Sequence, residues 1–451
     1  MKTQLEAGFG RVCINPPLNT PITGYFYERR VKGILDNIYT SAVAICDGES
    51  KALIISVETL ELSTEQCNIY RSKLSDESGV DANAIFINCS HTHTGAQVGS
   101  TGELGTGTVC PEYEAQLVDA MIEAAKIALS DLAPAALSYA IGEAKNISFV
   151  RRYRMKDGGV QTNPGVLNPD IDHALGKADD TVRLLKIKRE ESDDIYVVCF
   201  GTHADTVGGE YISADWPGFV RETLEAALDG VKCLFLTGAQ GDVNHINTAP
   251  TEADRCGLDY DTFDGVPRGY EHAKHMGRVV AGAVLAICTK TVAVKGGKIK
   301  VGLREITVPS NKENEREAEA RRLLELYNSG KADELPYKAM ELTTAVAEAN
   351  RIVDLLDGPE SFSFVLSAIS IGDFVLVGIP GELFVEIGQR AERESSFKST
   401  FVCCLTNGGD GYFPTSKAYD EGGYEAKSSR LKKGVDNIIL DGIKELLNTL
   451  A

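Results

Sequence analysis

Five short apolar runs constrain this chain more than any other feature: ALIISV at 52–57, AIFINCS at 84–90, YVVCFGTH at 196–203, CLFLTG at 233–238 and FVLVGIPGE at 374–382. Each has the length of one strand, and helical patterns separate them. Continuous apolarity implies burial on both faces, which predicts an α/β fold of mixed β-sheets with flanking helices. Several runs end directly in a glycine-rich or polar turn. In open α/β sheets ligands bind in the crevice outside the carboxyl ends of the strands, so these turns are where chemistry is expected. One further run, FVCCL at 401–405, reads as a buried strand that carries Cys403 and Cys404 as small hydrophobes.

Charge narrows the partners. The 46 Lys+Arg against 65 Asp+Glu give a formal net charge of -19, which repels nucleic-acid phosphates and anionic membrane surfaces. No stretch approaches the roughly 18 apolar residues of a membrane span, and the first twenty residues have no basic segment followed by an apolar run. The expectation is a soluble cytoplasmic protein whose partner is a small-molecule substrate, with no nucleic acid and no membrane; its oligomeric state is open. Eleven cysteines without a CxxC fit a reducing compartment. No repeat or Pro-rich linker divides residues 1–451, which are read as one domain. Within it Lys312–Leu356, charged, periodic and broken at Asn328-Ser329-Gly330, reads as an exposed helical hairpin.

Three of the seven histidines follow predicted strands: His91 and His93 after AIFINCS, and His203 after YVVCFGT. Neutral imidazole is a common transition-metal ligand, and strand ends supply a rigid backbone. If the strand continues, His91 and His93 share a face; a turn at Thr92 separates their roles. Alone, the pair is as compatible with hydrogen-bonded structural histidines as with a metal. Glu382, at the end of FVLVGIPGE, would complete a His/His/Glu set with a position left for water. Two glycine-rich stretches, Gly238–Asn247 and Asn407–Tyr412, follow CLFLTG and FVCCL and read as ordinary turns or as close approaches to a ligand. Arg151 and Arg152, in the cluster Arg151-Arg152-Tyr153-Arg154, are candidates to receive a substrate carboxylate or carbonyl.

Taken together and in order, these motifs resemble the catalytic domain of the neutral ceramidase family of zinc amidases. The matching residues are Gly10–Pro17 with Thr23-Gly24-Tyr25, Ser90–Gly95, Phe200–His203, Ile379–Glu382, and Tyr412–Thr415 with Gly423-Tyr424-Glu425. The resemblance implies one Zn2+ per chain, held by His91, His203, Glu382 and Tyr412. It also implies that His93 neighbours the metal or substrate and that Arg151 and Tyr424 line the site. The chain departs from the family at Gly241-Asp242-Val243-Asn244, where Asn244 replaces the serine of a GDVS motif, and the short stretch from Tyr424 to Ala451 leads to the expectation that the family's carboxyl-terminal β-sandwich is missing.

The expected chemistry is hydrolysis of an amide, cyclic amides included, in a small polar substrate by metal-activated water. Asp242 or His93 would accept the water's proton, and Asn244, His245 or Tyr424 would hydrogen-bond the oxyanion or leaving group. An ester, lactone or carbohydrate acyl bond is the alternative substrate, and a catalytically inactive ligand-binding homologue the alternative role.

Overall fold

A computed structural model describes residues 5–25, 27–99, 110–255, 269–313 and 315–451. Among them, nine strands form the larger sheet, which runs Val231–Thr237, Asp194–Phe200, Thr181–Arg189, Ala133–Glu143, Glu6–Cys13, Tyr39–Cys46, Lys51–Val57, Ile85–Cys89, with Val292–Ala293 pairing onto Ala133–Glu143. Four strands form a second sheet in the order Ile299–Pro309, Ser361–Ile371, Phe374–Gly378, Ser399–Cys403. Both sheets are mixed and helices flank them, giving the α/β architecture expected from the apolar runs.

All five runs are strands, and each belongs to a parallel pair: Lys51–Val57 with Ile85–Cys89, Asp194–Phe200 with Val231–Thr237, and Phe374–Gly378 with Ser399–Cys403. Parallel strands are covered on both faces, which is why they are apolar throughout.

Local sequence explains how the helices lie on these sheets. Gly8 and Gly10 alternate along Glu6–Cys13 and so share a face, and a Cβ at either would stand 2.0 or 2.1 Å from a carbonyl oxygen of Pro111–Ser130. Two glycines thus let that helix rest on the strand backbone. Ser63 and Gln66 form a reciprocal capping box at the start of Thr64–Ser78. Asp215–Ala227 and Tyr270–Ile287 pack together over a core containing Trp216, Phe200 and Phe235. The Lys312–Leu356 segment contains helices Glu317–Asn328 and Ala339–Leu356, joined by residues 329–338 and packed on each other around Ala320, Ala349 and Ile352, with Leu323, Leu324 and Val353 partly buried against them. Among the described residues, no helix is long and apolar enough to cross a membrane.

The two sheets meet at the carboxyl ends of their parallel strands. Backbone bonds from Cys404 N to Thr237 O, Cys89 N to Leu405 O and Asn407 N to Ile87 O sew them together there. The turns that leave this seam carry the candidate site.

Candidate metal centre

His91 follows strand Ile85–Cys89 and takes a left-handed backbone conformation, φ 67°. That conformation costs a β-carbon residue on the order of 1–3 kcal/mol and is tolerated where the surroundings fix it. The turn, rather than a continued strand, brings the two rings of the HxH motif to 5.0 Å, edge to face. His203 arrives from the end of Asp194–Phe200, 4.9 Å from the His91 ring and 6.1 Å from that of His93. All three are buried, and one ligand nitrogen of each lies within 4.8 Å of the others.

The tautomers follow from the backbone. His91 Nδ1 donates to Leu60 O at 3.0 Å, His93 Nδ1 to Gly24 O at 2.9 Å, and His203 Nδ1 to Val243 O and Gln240 O at 3.0 and 3.1 Å. A carbonyl accepts only, so each Nδ1 carries the proton and each neutral ring presents an Nε2 lone pair. Two of these lone pairs face a carboxylate: Glu382 Oε2 is 3.3 Å from His91 Nε2 and 3.0 Å from His203 Nε2. Yet Glu382 Oε2 and His93 Nε2 are both buried without a hydrogen-bond partner. Buried electron-pair donors that face one another without protons are costly, and a cation is what relieves them.

Protonation equilibria favour the neutral ring at two of the three histidines. Burial lowers His93 well below the ordinary histidine range, assisted by the neighbouring His91 and His203, and burial with the Arg151 cation takes His203 down to about 4. Burial also opposes charge on His91, but Glu382 outweighs it and raises the ring. Burial alone would raise Glu382; His91 and His203 hold it well below the usual carboxylate range.

Arg151 lies at the centre. Its Nε donates to Glu425 at 2.6 Å, Nη1 to His203 Nε2 at 3.1 Å, and Nη2 to Gly241 O at 2.9 Å and the Tyr412 hydroxyl at 3.1 Å. Tyr412 is brought in by a short parallel pairing of Tyr412–Phe413 with Glu382–Leu383, and Tyr424 lies beside it with ring centroids 5.7 Å apart. Arg152 points elsewhere, donating to Gly422 O at 2.8 Å and Glu421 at 3.2 Å, so it braces the Ser416–Glu421 helix rather than facing the imidazoles.

The Gly238–Asn247 stretch forms one wall. A Cβ at Gly241 would stand 2.6 Å from Glu382 O, so this glycine permits the close approach. Asp242 Oδ1 accepts from the amide of Val385, the first residue of helix Val385–Glu394. Burial raises Asp242 to about 6. Asn244 is held at both ends of its amide: Oδ1 accepts from Ile246 N at 3.0 Å and Nδ2 donates to Asn163 Oδ1 at 3.0 Å. His245 is buried beyond it.

Two neighbours, Asp205 and Arg29, escaped sequence reasoning, and a third, Glu425, lay in the matched Gly423-Tyr424-Glu425 motif without an assigned role. Asp205, two residues past His203, is partly buried, accepts from the Tyr25 hydroxyl at 2.6 Å and lies 3.9 Å from His93 Nδ1; desolvation raises it to about 7 against the pull of Arg29 and Arg151. Its signal was the spacing from His203. Arg29, buried beneath the site, donates to His93 O and Thr23 O and stacks 3.9 Å over the Tyr25 ring. Its partners are carbonyls, which leave no mark in sequence. Glu425 is fully buried and accepts from Arg151 and from the Thr162 hydroxyl.

No known protein-family profile matches the chain, and no curated protein sequence does. Solved structures do. A neutral ceramidase from Pseudomonas aeruginosa superposes with a TM-score of 0.76 over 100% of this chain and 75% of its own, at 15% identity. A ceramidase complexed with C2 gives a TM-score of 0.74 over 99% of this chain and 75% of its own, also at 15% identity. The chain shares the fold of these proteins.

Proposed function

We propose that the chain is a zinc-dependent hydrolase that cleaves an amide, cyclic amides included, in a small polar substrate. One observation carries the reading: the Nε2 atoms of His91 and His203 converge on Glu382 Oε2, a buried carboxylate oxygen that has no hydrogen-bond partner, and neither has the neighbouring His93 Nε2. Borderline nitrogen donors with one carboxylate suit zinc. In this reading His91, His203, Glu382 and Tyr412 hold it, and the ceramidase-like fold supports the assignment. Zinc, when bound, supplies Lewis acidity that polarises a carbonyl and acidifies water at neutral pH.

The chain's own residues do the rest. His93 accepts the water's proton at Nε2, which its bond to Gly24 O keeps unprotonated. Asp205, near Nδ1, stabilises the imidazolium that results. Asp242 is already engaged at the start of Val385–Glu394 and positions the turn that carries Glu382. Asn244 offers an amide donor and no hydroxyl, which favours direct attack by water over a covalent intermediate and makes ceramide a poor candidate. Arg151 and Tyr424 orient the substrate carbonyl or leaving group, whereas Arg152 contributes through the wall it braces. Ten cysteines among the described residues are free thiols, in keeping with a cytoplasmic location.

The test is a screen of zinc-loaded and zinc-stripped protein against short amides, lactams, lactones and ceramide. Zinc-dependent cleavage of a small polar amide or lactam is expected. Cleavage of ceramide alone contradicts the substrate assignment, and tight zinc binding without any turnover favours the ligand-binding role.

A further inference from the structure

Six of the seven histidines fall into two groups, and the second differs from the first in kind. His245, just past the Val243–Asn244 strand, is 3% exposed, and His272, in the first turn of helix Tyr270–Ile287, is 8% exposed. Their rings lie 5.9 Å apart at 56°, with His275, exposed on the same helix, a further 5.9 Å from His272. All four ring nitrogens of His245 and His272 are buried without a hydrogen-bond partner.

In the first group every Nδ1 is pinned by a carbonyl, so the lone pairs converge as metal ligands require. In the second none is pinned, and among the described residues only the first group brings its ligand atoms within 4.8 Å of one another. Buried imidazoles with no acid beside them are uncharged, and each then presents one N–H and one lone pair. An anion would find no cation in such a pair, and a hydrocarbon would leave four polar atoms unsatisfied. What satisfies them is an uncharged group that both donates and accepts hydrogen bonds.

The pair also flanks the candidate metal centre. His245 adjoins Asn244 in sequence, and Val243 O, two residues before it, accepts from His203 Nδ1. Resting on the hydrolase reading above, we infer that His245 and His272 form a substrate subsite that recognises an uncharged amide or hydroxyl beside the scissile bond.

The experiment uses full-length, zinc-loaded protein with 15N-labelled histidine, whose ring signals are assigned with the His245→Phe and His272→Phe variants. Probes are butyramide, 1-butanol and the acceptor-only butan-2-one. The subsite predicts saturable shifts of the His245 and His272 ring nitrogens with butyramide, 1-butanol or both, which tells amide from hydroxyl, and at least about fivefold weaker response to the ketone. Each Phe variant should lose the response while the His91 and His203 signals stay in place; if one does not fold, the other decides. No shift with any probe, meaning water alone fills the site, overturns the inference. So does an equal response to the ketone, or movement of the same signals by a second equivalent of Zn2+. Turnover is not read, so a protein that binds butyramide but cleaves no amide sinks the hydrolase reading and leaves the binding site standing.

Discussion

Glu382 Oε2 stands 3.0 Å from His203 Nε2, yet the carboxylate oxygen has no hydrogen bond, because the proton of His203 is committed to backbone carbonyls on the ring's other side. Glu382→Gln tests what that relationship is for. The amide removes the anion and brings a donor to the histidine lone pair, so zinc affinity should fall about 100-fold or more while the zinc-free protein keeps or gains thermal stability. Unchanged zinc affinity would show that Glu382 is not a ligand.

Gly24→Ala addresses His93. The residue has φ 106°, and a Cβ would stand 2.8 Å from His93 Nδ1. The substitution should cost about 2 kcal/mol of stability, lower turnover at least tenfold by turning the ring, and leave zinc content intact. Loss of zinc would instead place His93 among the ligands.

Asp242 has two possible duties that one pair of variants separates. Asp242→Asn keeps an oxygen for the Val385 amide, so zinc content and turnover should remain within about threefold of wild type; Asp242→Ala should lose about 1 kcal/mol at that helix start. Abolished turnover in Asp242→Asn alone, with the fold intact, would make Asp242 the general base in place of His93.

Acid sensitivity should trace partly to His272, which burial lowers from the ordinary 6.5 to about 4. The unfolded chain takes up this proton near 6.5 while the folded chain resists until about 4. The stability from keeping the ring neutral is thus full above 6.5 and lost as pH falls to 4, on the order of 3 kcal/mol. Melting temperatures across that window should decline less steeply in His272→Phe; an identical slope would contradict the assignment.

Sequence revealed the parallel half of the fold and concealed the antiparallel half. Every run recognised beforehand is apolar because both its faces are covered, whereas Ala133–Glu143 and Ile299–Pro309 interleave buried and exposed positions and so blend with the surrounding chain. His91, His203 and Glu382 were legible because each closes an apolar run. The contacts of Arg29 with carbonyls and the meeting of His245 with His272 were not, since backbone partners and long-range ring pairs leave no periodic trace. Nor did spacing choose between a continued strand and a turn after Ser90; the left-handed conformation at His91 makes it a turn, and the turn brings the HxH rings together.

The central claim is that the His91, His203 and Glu382 cluster holds a metal, and the most direct measurement is the zinc bound by purified protein by elemental analysis and titration. One tightly bound zinc per chain, lost in His203→Ala while the fold is retained, is the predicted result. Wild-type protein that is folded and has no affinity for zinc would contradict it.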